Sequence, residues 1–158
     1  MTIPDHIKQQ IIKNIDKKRD KTLSKLREVL DYPYHPDTKI LIFRVEGDSG
    51  GFGMNLLAAN EHWDMIDVNA DGEDLDSTRF LHFGFSFYVL EDCDVNWGKT
   101  SLLEQISKFT RDYLYPWFAD RFEELGGKGY PFDCVLQKHD TLRGFSMKEK
   151  KWIKVHAV

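Results

Sequence analysis

The chain reads as an α+β protein: an antiparallel sheet of about five to seven strands, with an N-terminal helix and a second long helix, about residues 101–125, packed on one face. Three observations predict it. Leu81, Phe83, Phe85, Phe87 and Val89 alternate with His82, Gly84, Ser86 and Tyr88, the period of two of a half-buried strand. Leu102, Ile106, Phe109, Tyr113 and Trp117 fall on one helical stripe, which Leu103, Leu114, Phe118, Phe122 and Leu125 widen. Between 62–69 and 75–90 stands Asp71-Gly72, a dipeptide suited to a tight hairpin turn.

The remaining elements follow in order. Residues 3–31 read as helix: Ile3, Ile7, Ile11 and Ile15 recur every four residues, and Leu23, Leu26 and Leu30 resume the stripe. The polar run from Asp16 to Lys21 interrupts it, so one helix or two both fit. Pro33 and Pro36 end the segment, because proline disfavours helix at its own position and at the one before. Residues 39–46 are apolar on both faces, which suits a central strand; 52–59 is a weaker strand. Ser101 and Glu104 have the spacing of a capping box opening the long helix. Pro116 should kink or divide that helix, and Gly126-Gly127 should end it. Residues 130–137, 142–147 and 152–158 read as short closing strands. The aromatic face of 79–90 should pack against the long helix.

A chain of 158 residues suits a single domain, 1–158, with one core. No apolar run approaches the ~20 residues of a membrane helix. Residues 1–20 lack the apolar segment of a secretory signal. Two cysteines, Cys93 and Cys134, then suit a reducing, cytoplasmic location, and their spacing leaves open whether they lie close.

The net charge of −4 hides an asymmetry. Residues 61–94 carry ten acids (Glu61, Asp64, Asp67, Asp71, Glu73, Asp74, Asp76, Glu91, Asp92 and Asp94) against one base, Arg79. Between Lys8 and Arg27 eight bases face two acids. Such a distribution speaks to partners rather than to fold.

Several motifs test specific chemistries. Gly47-Asp48-Ser49-Gly50-Gly51 is the pentapeptide that carries the nucleophile in chymotrypsin-like serine proteases. There the histidine and aspartate lie upstream; here only 46 residues precede it, with His6 and His35 among them. Gly47, Ser49 and Gly51 also fit the nucleophile elbow, which must join a strand to a helix, yet no capped helix follows. A glycine-rich turn explains the same residues. Asp67-Val68-Asn69-Ala70-Asp71-Gly72 resembles the first half of an EF-hand calcium loop. The second half departs: Asp74 stands where an apolar residue belongs and Thr78 where a bidentate glutamate belongs. Asp67, Asn69, Asp71 and Asp76 are the candidate ligands. Gly98-Lys99-Thr100-Ser101 resembles the end of a Walker A loop, but Cys93 replaces its first glycine. No zinc-ligand spacing and no cofactor motif is present. The basic N-terminal helix lacks the aromatics of a nucleic-acid-binding module.

With Asp71 and Gly72 as the two turn residues, Val68 should face Leu75, Asp64 should face Arg79 and Trp63 should meet Phe80. Asp67 would then face Asp76, a like-charge pair that is tolerable where solvated or used to attract a basic surface. The leading expectation is a non-catalytic cytoplasmic interaction protein, with the profile of an immunity-type inhibitor, binding a basic protein partner. Asp64, Asp67, Asp71, Glu73, Asp74 and Asp76 would supply charge, and Trp63 and Trp97 aromatic anchors. The alternatives are a calcium-binding module and a serine hydrolase using Ser49. No membrane or nucleic-acid partner is expected, and the oligomeric state stays open.

Overall fold

Pro4, fixed at φ −58°, starts the first helix, and Asp5 places a carboxylate in its first turn, where the helix dipole favours negative charge. The computed structural model describes residues 2–48, 50–75, 85–138 and 141–155. Two N-terminal helices form: α1, Asp5–Asp16, and α2, Arg19–Asp31. The break falls at Lys17-Lys18, inside the run that has no apolar residue. Ile3, Ile7, Ile11 and Ile15 are all buried. On α2 the buried stripe is Thr22, Leu26 and Val29: Leu26 is buried as expected, while Thr22 and Val29 take the places expected of Leu23 and Leu30, which are half-buried. Tyr34 turns back to donate its hydroxyl to the Val29 carbonyl at 2.6 Å, which seals the helix end before Pro36.

Six strands form one sheet: β1, Ile40–Asp48; β2, Gly51–Ala59; β3, Phe85–Phe87; β4, Asp133–Lys138; β5, Arg143–Ser146; and β6, Lys151–Lys154. Their order is β3-β2-β1-β4-β5-β6. The α+β class and the one-sided helices are as the sequence predicts. The sheet, however, is mixed rather than antiparallel, because β1 and β4 pair in parallel from Ile40↔Asp133 to Val45↔Lys138. Short turns enforce antiparallel neighbours, whereas β4 arrives by way of a long helix, and a parallel partner requires such a crossover. Strand β1 is central, as its two apolar faces imply. Leu41, Phe43 and Val45 enter the main core; Ile40 and Ile42 lie on the other face with Ala59, Leu57 and Trp63.

Helix α3, Thr100–Glu124, runs undivided through Pro116. The proline is exposed, so the carbonyl it leaves without an intrahelical partner faces water. The expected capping box does not form: the helix starts at Thr100 with Lys99 at its N-cap and no side-chain cap. Ser101 thus sits inside the first turn. Gly126, at φ +79°, closes the other end in the left-handed conformation as anticipated. Aromatic packing against the sheet is as expected where it is described. Phe118 meets Phe85 edge-on at 5.0 Å and Phe43 at 5.5 Å, and Trp117 meets Phe87 at 5.8 Å. Leu81 and Phe83 lie outside the described residues.

Beyond Gly126, β5 and β6 pair Phe145 with Trp152, and both rings lie against Tyr115 of α3. A Cβ on Gly144 would stand 2.5 Å from Val135 Cγ1 and 2.8 Å from Val155 Cγ1, so only glycine fits there. Cys93 and Cys134 are both unbridged. No described helix is long and apolar enough to cross a membrane.

Candidate functional site

The acidic segment is built in two steps. Asn60 comes first: its Oδ1 accepts hydrogen bonds from the His62 N–H at 2.8 Å and the Asp64 N–H at 3.0 Å. That small loop holds Trp63 at φ +66° and lays it on Ile40, Ile42 and Ala59. Trp63 is therefore half-buried against the outer face of the sheet, and packing accounts for it. Asp64 remains exposed, 3.4 Å from Asn60 Nδ2.

Asn69 is the second step. It is 97% buried, with a relative exposure of 3%. Its Oδ1 accepts from the N–H groups of both Asp71 and Glu73, each at 3.0 Å, and its Nδ2 donates to Tyr32 Oη at 3.3 Å. Its main chain pairs with Glu73 at 2.9 Å and with Tyr34 through an isolated bridge. The Ala70 N–H donates to the Pro33 carbonyl at 3.0 Å. The turn is thereby wound around one buried carboxamide and fastened to the α2–β1 connection.

This changes the register by one residue. Val68 bridges Asp74, not Leu75, and the Leu75 N–H donates to the Asp67 carbonyl. Three residues, 70–72, cross between Asn69 and Glu73, because the Asn69 side chain supplies an acceptor that a two-residue loop would not need. Asp67 consequently lies opposite Leu75, not at the register position expected from the sequence. Asp76, Arg79 and Phe80 lie outside the described residues, as do residues 76–84 of the expected long second strand.

Asp67, Asp71, Glu73 and Asp74 are all exposed. Among the described residues Asp67, Asp71 and Glu73 make no ion pair. Other acids differ: Glu91 is 2.7 Å from Lys17, whose ammonium holds that carboxyl below its ordinary range. Of the four calcium-ligand candidates, Asp76 lies outside the described residues, and only Asp67, Asn69 and Asp71 can be placed. Asn69 Oδ1 is taken up by the turn, and no cluster of three ligating side chains exists among the described residues.

The glycine pentapeptide is a hairpin. Asp48 pairs with Gly51, so β1 leads into β2, strand to strand and not strand to helix. Gly47 stands at φ +119°, and a Cβ there would be 2.2 Å from the Gly51 carbonyl oxygen, so the turn itself demands glycine. Ser49 lies outside the described residues.

The chain matches no known protein family, no curated protein and no solved structure.

Trp97 is 58% exposed. It belongs to the loop after β3, whose start is tied to α1 by Asn14, while the acidic turn is tied to Pro33 and Tyr34. Trp97 and the turn thus rest on different supports. Sequence reasoning missed a groove of about 600 Å³ on the outer sheet face, lined by Glu46, Gly51, Gly53, Asn55, Ser86 and Tyr88. Arg44 Nε lies 3.3 Å from Glu46 Oε1 but is misaligned for a hydrogen bond, and Asn55 Nδ2 donates to Glu46 at 3.1 Å. The signal was the alternation of Gly51, Gly53 and Asn55 with Phe52 and Met54, a strand with one face lacking bulk.

Proposed function

We propose that this is a non-catalytic interaction protein whose acidic turn, residues 67–74, binds a basic protein partner in the manner of an immunity-type inhibitor. The observation that carries the reading is a rigid exposed turn with three acids, Asp67, Asp71 and Glu73, that make no ion pair among the described residues. Carboxylates held apart from the protein's own bases keep their field for an incoming charge, and a turn that is already ordered loses little entropy on docking. Asp64 and Asp74 extend the patch. Of the two candidate tryptophans, Trp97 is the exposed one able to act as an anchor, while Trp63 supports the loop from beneath.

The test is capture from the native cell by the wild-type chain and by a variant with Asp71, Glu73 and Asp74 changed to lysine. The expected result is a basic protein whose association slows as salt rises and is about ten-fold weaker with the variant. Equal capture by both chains, with the fold intact, removes the turn as the interface.

A further inference from the structure

We propose that the free edge of β3, with the lysines of α2 beside it, is a docking site for an acidic peptide segment in extended conformation. The edge is the starting point. Among the described residues strand β3 is the last in the sheet, paired on one side with β2 through Phe52↔Phe87, Gly53↔Ser86 and Met54↔Phe85, with no strand on its other side. The Phe85 and Phe87 carbonyl oxygens approach the Cβ positions of Gly53 and Gly51 at 3.6 and 3.4 Å, so both point toward β2. Backbone groups alternate in direction along a strand, so the Ser86 N–H and C=O point outward. An edge with outward backbone groups is a template for one more strand.

The charge beside it selects the occupant. Lys18, Lys21 and Lys25, with Thr22, line a groove of about 120 Å³ against Phe85, Ser86 and Phe87. These positions recur every three to four residues and so share one face of the chain. Among the described residues the three lysines make no ion pair, and no acid lines the groove. Seven helical rises of ~1.5 Å place Lys18 and Lys25 about 10 Å apart. Three strand residues at ~3.3 Å span about 7 Å from first to last Cα, so the spacing of the cations is on the scale of β3 itself. Alternate side chains of an added strand would face the lysines, and carboxylates at those positions would match three ammonium groups. The intervening side chains would face the opposite side of the sheet, toward the glycine-floored groove, and the Lys18 ammonium, 6.0 Å from the centre of the Tyr88 ring, stands at the edge between the two sides. This site uses the N-terminal half of α2, away from the acidic turn fastened beyond its C-terminus.

The probe is a fluorescein-labelled peptide of about eight residues alternating glutamate with valine, so that one face is acidic. Binding to the full chain is read by anisotropy. We expect saturable binding that weakens about ten-fold between about 0.02 M and about 0.15 M salt. Changing Lys18, Lys21 and Lys25 to glutamine should weaken it by a similar factor with an unchanged melting temperature. N-methylation of the peptide amides on one edge should abolish it, a readout that needs no change in the protein. No saturable binding overturns the proposal. Indifference to N-methylation, or equal affinity for a single-stranded nucleic acid of equal charge, also overturns it in favour of a plain polyanion patch. Self-association of the chain that the lysine variant abolishes overturns it in favour of a second copy.

Discussion

The Asn14 carboxamide, buried on α1, donates to the main-chain oxygen of Val89 at 2.8 Å, joining segments 75 residues apart. The same nitrogen reaches the Glu91 carbonyl at 2.7 Å, so one side chain satisfies two carbonyls of the turn that follows β3. Replacing it by leucine keeps the volume and strands both acceptors. We expect Asn14→Leu to lower stability by about 1–3 kcal/mol, measured by urea denaturation. A change within about 0.3 kcal/mol would show that water replaces the carboxamide without loss.

Asn69→Ala removes the acceptor at the centre of the acidic turn. The Asp71 and Glu73 amides should then exchange with deuterium at rates near those of an open loop, with a global loss of about 1 kcal/mol. Unchanged protection at Asp71 and Glu73 would mean that the main-chain bonds alone hold the turn.

Two glycines should respond very differently to alanine. At Gly47 the backbone lies at φ +119° and the Gly51 oxygen blocks the new methyl, so Gly47→Ala should cost more than about 2 kcal/mol. At Gly53 the nearest atom is 3.6 Å away, an ordinary contact, and the change should fall within about 1 kcal/mol. Thermal denaturation of both variants checks the contrast, and similar losses would contradict it.

Tyr115 carries a hydroxyl that is buried without a hydrogen-bond partner among the described residues, and burial pushes its pKa up to about 12. The folded state thus resists tyrosinate more than the unfolded chain does. Stability from this group is complete below the ordinary tyrosine value of about 10 and is lost as pH rises toward 12. Tyr115→Phe should raise stability by about 1 kcal/mol at neutral pH and flatten the decline above about pH 10. A destabilised variant would show that the hydroxyl is satisfied.

Calcium should leave the melting temperature unchanged, because the Asn69 oxygen that would ligate it is already engaged. A rise at millimolar calcium, absent with chelator, would restore the cation reading.

Much of the fold could be read from side-chain periodicity. Ile3 to Ile15, the two apolar faces of β1 and the aromatic stripe of α3 each report a local geometry that the chain adopts unaided. The parallel pairing of β1 with β4 could not, since nothing local at residues 133–138 records which strand waits across α3. The turn register was lost for a related reason. Asn69 reads in sequence as a strand-end polar residue, and only its burial beneath Tyr32 makes its carboxamide a substitute for main-chain pairing. The β3 edge was hidden because lysines of α2 and the strand lie some sixty residues apart in the chain.

The parallel pairing divides the sheet into two meanders, β1-β2-β3 and β4-β5-β6, each stitched by neighbours in sequence. Within the sheet the two are joined along one seam, Ile40–Val45 against Asp133–Lys138, with α3 packed across both halves, and the two sides of the seam meet only after the intervening chain has been gathered up. The hairpins can form early, but the seam must close late. A weakened seam would leave both halves locally formed while exposing the edges of β1 and β4, the edges from which aggregation would start.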